Sequence, residues 1–392
     1  MITVDAARAR ILGALSATGA ETVGLGQGWN RVLAAPVYAR LTQPPADISA
    51  MDGFALRAAD AAAGVKLRVI GAAPAGHPFP GVVGPHEAVR LFTGSVMPEG
   101  ADAVLLQEDA TATADGVTVH EAAQAGRHIR RAGQDFALGD LLIAAGRRLS
   151  ARDIGLAAAG NHAWLAVHRA PRVAIMATGD EISLPGDPVG PGGIVSSNAH
   201  ALAAFVAQAG GEPVILPIAG DRLEAIAEGA DGARGADLLV TTGGASVGAH
   251  DLVGAGLAAR GMVLDFWKIA MRPGKPLMFG TLGGMPVLGL PGNPVSAFVC
   301  AMLFLRPAID RLSGLPGAAP VLVPGRLGAA LKANDQREDY VRATWRDGVA
   351  TPFAKQDSGM LRNLAHADVL IRRPPHQAAL AVGDAVEVLV LG

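Results

Sequence analysis

The 392-residue chain is 50% hydrophobic and only 17% charged, with a formal net charge of −2. That balance excludes global disorder and gives no whole-protein attraction to nucleic acid or an acidic membrane surface. The single cysteine, Cys300, excludes an intrachain disulfide and a zinc cluster of thiolates, and the length predicts roughly two to four domains.

Thr3 predicts the cap of a first helix whose apolar positions Val4, Ala7, Ile11 and Leu15 recur at helical spacing. Asp5, Arg8 and Arg10 among them mark a helix rather than a signal peptide. From about Arg40 to Asp140, short β-like pieces at 66–70, 88–92, 103–107 and 116–120 alternate with Pro/Gly turns, the pattern of a small β-rich module. Ser150 predicts the cap of a helix over 150–163.

From Pro171 the texture alternates. Strands are predicted at 172–177, 213–217, 237–241, 263–267, 276–280 and 285–290, and helices at 199–209, 223–229, 252–259 and 295–311. This predicts a doubly wound α/β domain with ligand loops at the carboxyl ends of its strands. Cys300 falls in an apolar run too short to span a bilayer and reads as a buried structural thiol. After the turn residues 314–320, β-like pieces return and predict a last small β domain. The protein is expected to be soluble and cytoplasmic.

Three glycine-rich loops carry chemistry. TTGGASVGAHD, from Thr241 to Asp251, follows a strand and precedes a helix, where glycine admits close backbone approach and helix N–H groups favour an anion. The same run is compatible with a plain strand-to-helix turn, and it is neither a Walker loop nor a dinucleotide fingerprint. ATGDEI offers Asp180 and Glu181 to a hard cation, with Asp221 and Asp251 at neighbouring strand ends, or else is a turn of solvated acids. In MRPGKP, Pro273 and Gly274 hold Arg272 and Lys275, while Lys268 sits in an apolar, strand-like context where a charge needs a partner; a tetrahedral oxyanion would supply one. GLPGNPVS is the third loop. His250 is second to the site at most, and no paired histidine spacing or serine-hydrolase elbow appears. SAMDGFA, FTGSVMPEGAD and RRAGQDF read individually as glycine-containing turns.

In their order these pieces, with PRVAIMATGDEI, WKIAMRPGKPLMFG and SGMLRNLAHADVLI, resemble the molybdopterin molybdenumtransferase family from about Val4 onward. The resemblance implies a discontinuous helical linker domain (1–40 and 139–170) and an inserted β-rich domain (41–138). It further implies a molybdopterin-binding α/β domain (171–315) and a C-terminal β-barrel-like domain (316–392). It also implies a homodimer with a composite active site, contacts with other molybdenum-cofactor biosynthesis proteins, and no nucleic-acid or membrane partner. The implied reaction takes adenylylated molybdopterin, molybdate and Mg²⁺ to molybdenum cofactor and AMP.

On that reading Asp52, Thr93, Asp135, Glu181, Asp251, Lys268 and Arg272 serve catalysis, and Glu181, Asp221 and Asp251 hold Mg²⁺. Gly179, Thr242, Gly243, Gly244, Ser246 and Gly248 cradle the pterin substrate; Pro273, Gly274, Pro291, Gly292 and Asn293 complete the substrate site, where Lys268, Arg272 and Lys275 with Ser296 hold molybdate. Two positions depart from the family pattern: Arg272 stands where lysine is common, and Gly220-Asp221 where paired aspartates are common. A molybdopterin adenylyltransferase would lack the flanking β modules. A non-catalytic scaffold of the gephyrin kind could lose the carboxylates that remain here.

Overall fold

The computed structural model describes residues 1–114, 116–243 and 252–391. Thr3 caps the first helix as expected, its hydroxyl accepting from the Ala6 N–H at 3.2 Å, and Val4–Gly13 buries Val4, Ala7 and Ile11. These side chains join the core of the α/β unit rather than a core of their own.

That unit is a six-stranded sheet in the order Glu212–Ile215, Arg172–Ala177, Leu238–Thr242, Met285–Leu290, Met278–Leu282, Met262–Trp267. The first four strands are parallel, and Met278–Leu282 runs antiparallel to both neighbours. Alternate residues of one strand feed opposite faces. Val173 and Ile175 face helices Asn198–Gln208 and Pro294–Cys300, while Ala174 and Met176 face Leu223–Asp231 and Leu252–Ala259. Each fully buried aliphatic side chain of this kind contributes about 1.5–3 kcal/mol. Because Arg172–Ala177 leads to one neighbour by one helix and Leu238–Thr242 lies on its other side, the strand order reverses between them, and a crevice opens at their carboxyl ends.

The predicted helix 295–311 is interrupted: Pro294–Cys300 passes through a π-helical turn, Ala301–Leu305, into Arg306–Leu312. Pro307 has no N–H to return to the preceding turn, and a π-turn absorbs the lost bond. The helix capped by Ser150 ends at Ala159, short of the predicted 163, and beyond it Trp164–His168 is a strand paired with Ala20–Gly24. Leu165 and Val167 point inward at period two there, as a half-buried strand requires.

The β-rich segment forms a curled sheet in the order Ala103–Leu106, Gly53–Leu56, Glu87–Leu91, Lys66–Ala73, Gly116–Val119, Ala110–Thr113. Gly53 is required in its centre, since a Cβ there would lie 2.0 Å from the Leu105 carbonyl oxygen. In the C-terminal region Leu322–Leu327, Glu338–Arg346, Val349–Pro352, Val369–Arg373 and Ala385–Val390 close into a five-stranded barrel. Met271–Arg272 pairs alongside Glu338 and Asp339, stitching the MRPGKP loop to that barrel. Among the described residues, no helix is long and apolar enough to cross a membrane.

Candidate functional site

A cavity of about 760 Å³ occupies the crevice at the strand-order reversal. Thr178 and Glu181 from one strand end, Thr242 and Gly243 from the next, and Pro291, Gly292 and Asn293 from the third line it. Gly243 has φ +103°, and a Cβ on it would stand 2.3 Å from the Thr178 carbonyl oxygen, so two strand ends touch through their backbones there. Asn198 fastens the arrangement, its Nδ2 donating to Thr242 Oγ1 and to the Gly292 carbonyl, each at 2.8 Å. Sequence reasoning missed Asn198; its signal was the polar SSN start of a helix at a ligand edge. Gly244, Ser246, Gly248, His250 and Asp251 lie outside the described residues.

Asp180 and Asp221 lock together: Asp180 Oδ1 accepts from the Asp221 N–H at 3.0 Å, and Asp221 Oδ2 accepts from the Asp180 N–H at 3.4 Å. Gly220 permits this, because a Cβ there would sit 2.9 Å from Asp180 Oδ1. The glycine at 220 thus leaves room for the Asp180 carboxylate beside Asp221. Gly179, at φ +145°, likewise leaves room for the Glu181 carboxylate, which lines the cavity. Among the described residues, no three His, Cys, Asp or Glu side chains converge enough to hold a metal alone. The donors on offer are all oxygen, the set that suits Mg²⁺.

A second cavity, about 700 Å³, adjoins the first at Pro276 and Asn293 and contains Arg272, Pro273, Gly274, Lys275 and Ser296. Here the structure alters the expected roles. Arg272 is bonded to Asp339 and Asn334 and lies 3.6 Å from Asp335, so its charge is compensated by the barrel. Arg337 donates to Asp335 and, with help from Arg272, holds its carboxyl well below the usual range. Arg342 and Arg373 are buried and spend their donors on backbone carbonyls and on the side-chain oxygens of Gln356 and Gln377. Lys275 has no carboxylate partner among the described residues.

Lys268 lies just beyond the strand predicted over 263–267. That strand ends at Trp267, and Lys268 takes φ +73° with its Nζ 4.1 Å from the centroid of the Trp267 ring. Cys300 is buried beneath the loop, where a Cβ on Gly274 would meet its Sγ at 2.6 Å. Burial pushes the thiol up, which suits packing and not nucleophilic attack. Ser358, in the SGMLRN segment, accepts from Asn293 Nδ2 at 3.0 Å, and its carbonyl accepts from the Val295 N–H at 3.1 Å. The C-terminal region thereby docks on the helix start, and Gly359 and Leu361 enter the first cavity.

In the β-rich sheet, Asp52 Oδ1 accepts from the Thr93 N–H at 2.7 Å and from Thr93 Oγ1 at 2.8 Å. The Thr93 N–H, then its hydroxyl, then the charge of Arg90 hold the Asp52 carboxyl below its ordinary value. This contribution to stability is present above the unfolded carboxylate pKa and is lost as pH falls through the depressed folded pKa. Thr93→Val is expected to raise the Asp52 pKa, seen in its carboxyl NMR titration; an unmoved titration would remove the Thr93 hydroxyl as a cause. Asp135 sits apart, its N–H donating to the Gln43 carbonyl at 3.1 Å. Among the described residues, no hydrogen bond or ion pair joins Asp52, Thr93 or Asp135 to Glu181, Lys268 or Lys275.

Three family models match in order: MoeA N-terminal region (domain I and II) over 2–160, probable molybdopterin binding domain over 174–311, and MoeA C-terminal region (domain IV) over 324–391. The chain is 37% identical to a molybdopterin molybdenumtransferase of Nostoc sp., spanning 95% of this chain and 88% of that one. It is 36% identical to molybdopterin molybdenumtransferase 2 of Mycobacterium tuberculosis, spanning 94% of each. A crystal structure of a molybdopterin biosynthesis MoeA protein from Pyrococcus horikoshii superposes with TM-score 0.85 at 29% identity, covering 100% of this chain and 99% of that one.

Proposed function

The chain belongs to the MoeA family of molybdopterin molybdenumtransferases, and from that premise we propose that it inserts molybdate into adenylylated molybdopterin and releases AMP. The observation that carries the reading is the pair of adjoining cavities, one lined by close-approach backbone and carboxylate, the other by Lys275, which has no carboxylate partner among the described residues. The first has the close backbone approach at Gly243 that a phosphate-bearing pterin needs, and the second places Lys275, without a carboxylate partner among the described residues, beside the buried hydroxyl of Ser296. Adenylylated molybdopterin is assigned to the first and molybdate to the second, meeting near Pro276 and Asn293.

The residues' work is positioning and charge matching, the general requirement of phosphoryl chemistry. Gly243 brings the backbone close to the phosphate end, and Asn198, bonded to the Gly292 carbonyl, keeps that wall in place. Glu181, with Asp221 and Asp251, would hold Mg²⁺, which when bound neutralises phosphoanhydride charge and favours departure of AMP. Lys275 and Lys268 attract and orient molybdate; Arg272 fixes the loop that carries them. No covalent protein intermediate is required.

Asp52, Thr93 and Asp135 fit the reading through a homodimer in which the β-rich region of one subunit closes over the cavity of the other. The same reading retains the four-domain division and a cytoplasmic location. Purified protein with adenylylated molybdopterin, Mg²⁺ and molybdate is expected to release AMP, measured chromatographically. No AMP above a molybdate-free control, with the pterin substrate shown to be bound, sinks the assignment.

A further inference from the structure

We propose that Trp267 is a positioning residue: its indole face holds the Lys268 ammonium at the oxyanion edge of the site without neutralising it. The inference rests on the reading above in which Lys268 faces molybdate.

A site that must attract an oxyanion has a design conflict. A lysine is most simply fixed by a carboxylate, but the carboxylate cancels its charge and repels the ligand. Arg272 shows that outcome in this loop, since Asp339 and Asp335 compensate it. An aromatic face resolves the conflict, because its quadrupole attracts a cation while carrying no net charge.

Lys268 has the corresponding geometry. Its Nζ lies 4.1 Å from the Trp267 ring centroid, and no carboxylate among the described residues pairs with it. The placement is enforced by the backbone. Lys268 adopts φ +73°, a conformation a side-chain-bearing residue rarely takes and that persists only where the surroundings impose it. Here the Lys268 N–H donates to the Leu277 carbonyl and the Ile269 N–H to the Lys275 carbonyl, both at 3.0 Å. These bonds close the loop on itself and set the Lys268 backbone beside the segment that carries Lys275 into the second cavity.

Trp267 ends a strand parallel to the ligand-edge strands, so its ring stands at the same end of the sheet as the cavities. Buried indole N–H groups usually find an acceptor. That of Trp267 has none among the described residues, so hydrogen bonding does not explain the ring's position. Packing against the Met176 and Met278 core holds one side of the ring, and the lysine takes a face.

The test is steady-state AMP release with molybdate as the varied substrate. Trp267→Leu is expected to raise KM for molybdate about threefold to tenfold, with kcat nearly unchanged. Trp267→Phe, which keeps a weaker aromatic face and serves if the leucine variant does not fold, should show a smaller rise. In a Lys268→Met background the Trp267 substitutions should add nothing. Equal KM values in wild type and the Trp267 variants, with Lys268→Met still raising KM, overturn the inference and leave the proposed function standing. A further loss on adding Trp267→Phe to Lys268→Met also overturns it, because it marks the ring as packing only. An unchanged KM in Lys268→Met alone overturns the placement of molybdate itself.

Discussion

Glu181→Gln is expected to lower molybdate-dependent AMP release by about a hundredfold or more, with folding stability within about 0.5 kcal/mol of the parent. The two halves of this expectation have separate causes. Glu181 is exposed at the mouth of the crevice and its carboxylate accepts no hydrogen bond from a described residue, so the amide replaces it without stranding a buried partner. Its neighbours behave differently: Asp180 and Asp221 each accept the other's N–H, and altering either perturbs a fold contact along with the charge. Glu181 is therefore where charge can be removed alone. If the carboxylate holds Mg²⁺ beside the phosphoanhydride, raising Mg²⁺ should recover part of the lost rate. A variant that turns over within about threefold of the parent would show that transition-state charge is met elsewhere.

Much of the α/β unit was legible because its signals are local. Thr3 and Ser150 cap as a hydroxyl before an apolar period should, and Arg172–Ala177 and Met285–Leu290 occupy the predicted 172–177 and 285–290. The site was legible as loops, and its ordering at one sheet edge follows from the alternation of strand and helix. What failed to show were partnerships made across the chain. Arg272 reads as a free cation until Asp339, 67 residues away, is brought beside it by the barrel strand that pairs with Met271–Arg272. Lys268 reads as a charge in apolar surroundings lacking a partner until its positive φ turns it onto Trp267. No periodicity encodes either event. The assignment of Asp52, Thr93 and Asp135 came from family resemblance, since each stands in a turn whose chemistry is silent alone.

Gly243→Ala is the substitution expected to do most damage for one added methyl. Two independent penalties fall on it. At φ +103° an L side chain is strained by about 1–3 kcal/mol. The new Cβ would also stand 2.3 Å from the Thr178 carbonyl oxygen, a backbone atom that cannot swing away like a side chain. Relief requires the ends of Arg172–Ala177 and Leu238–Thr242 to separate, and the Thr178 N–H bond to the Thr242 carbonyl at 3.1 Å lies in that seam. Separation would move Thr242 away from Asn198 and widen the wall assigned to the pterin phosphate, and misplacement of about 1 Å can cost a hundredfold in rate. The neighbouring Gly292 supplies the control, since its nearest contact for an added Cβ is the Gly243 Cα at 3.4 Å, ordinary packing distance. Gly292→Ala should therefore retain most activity and binding, while Gly243→Ala loses AMP release by at least about a hundredfold and melts earlier. Equal activities in the two variants would show that the close backbone approach at Gly243 is incidental to the site.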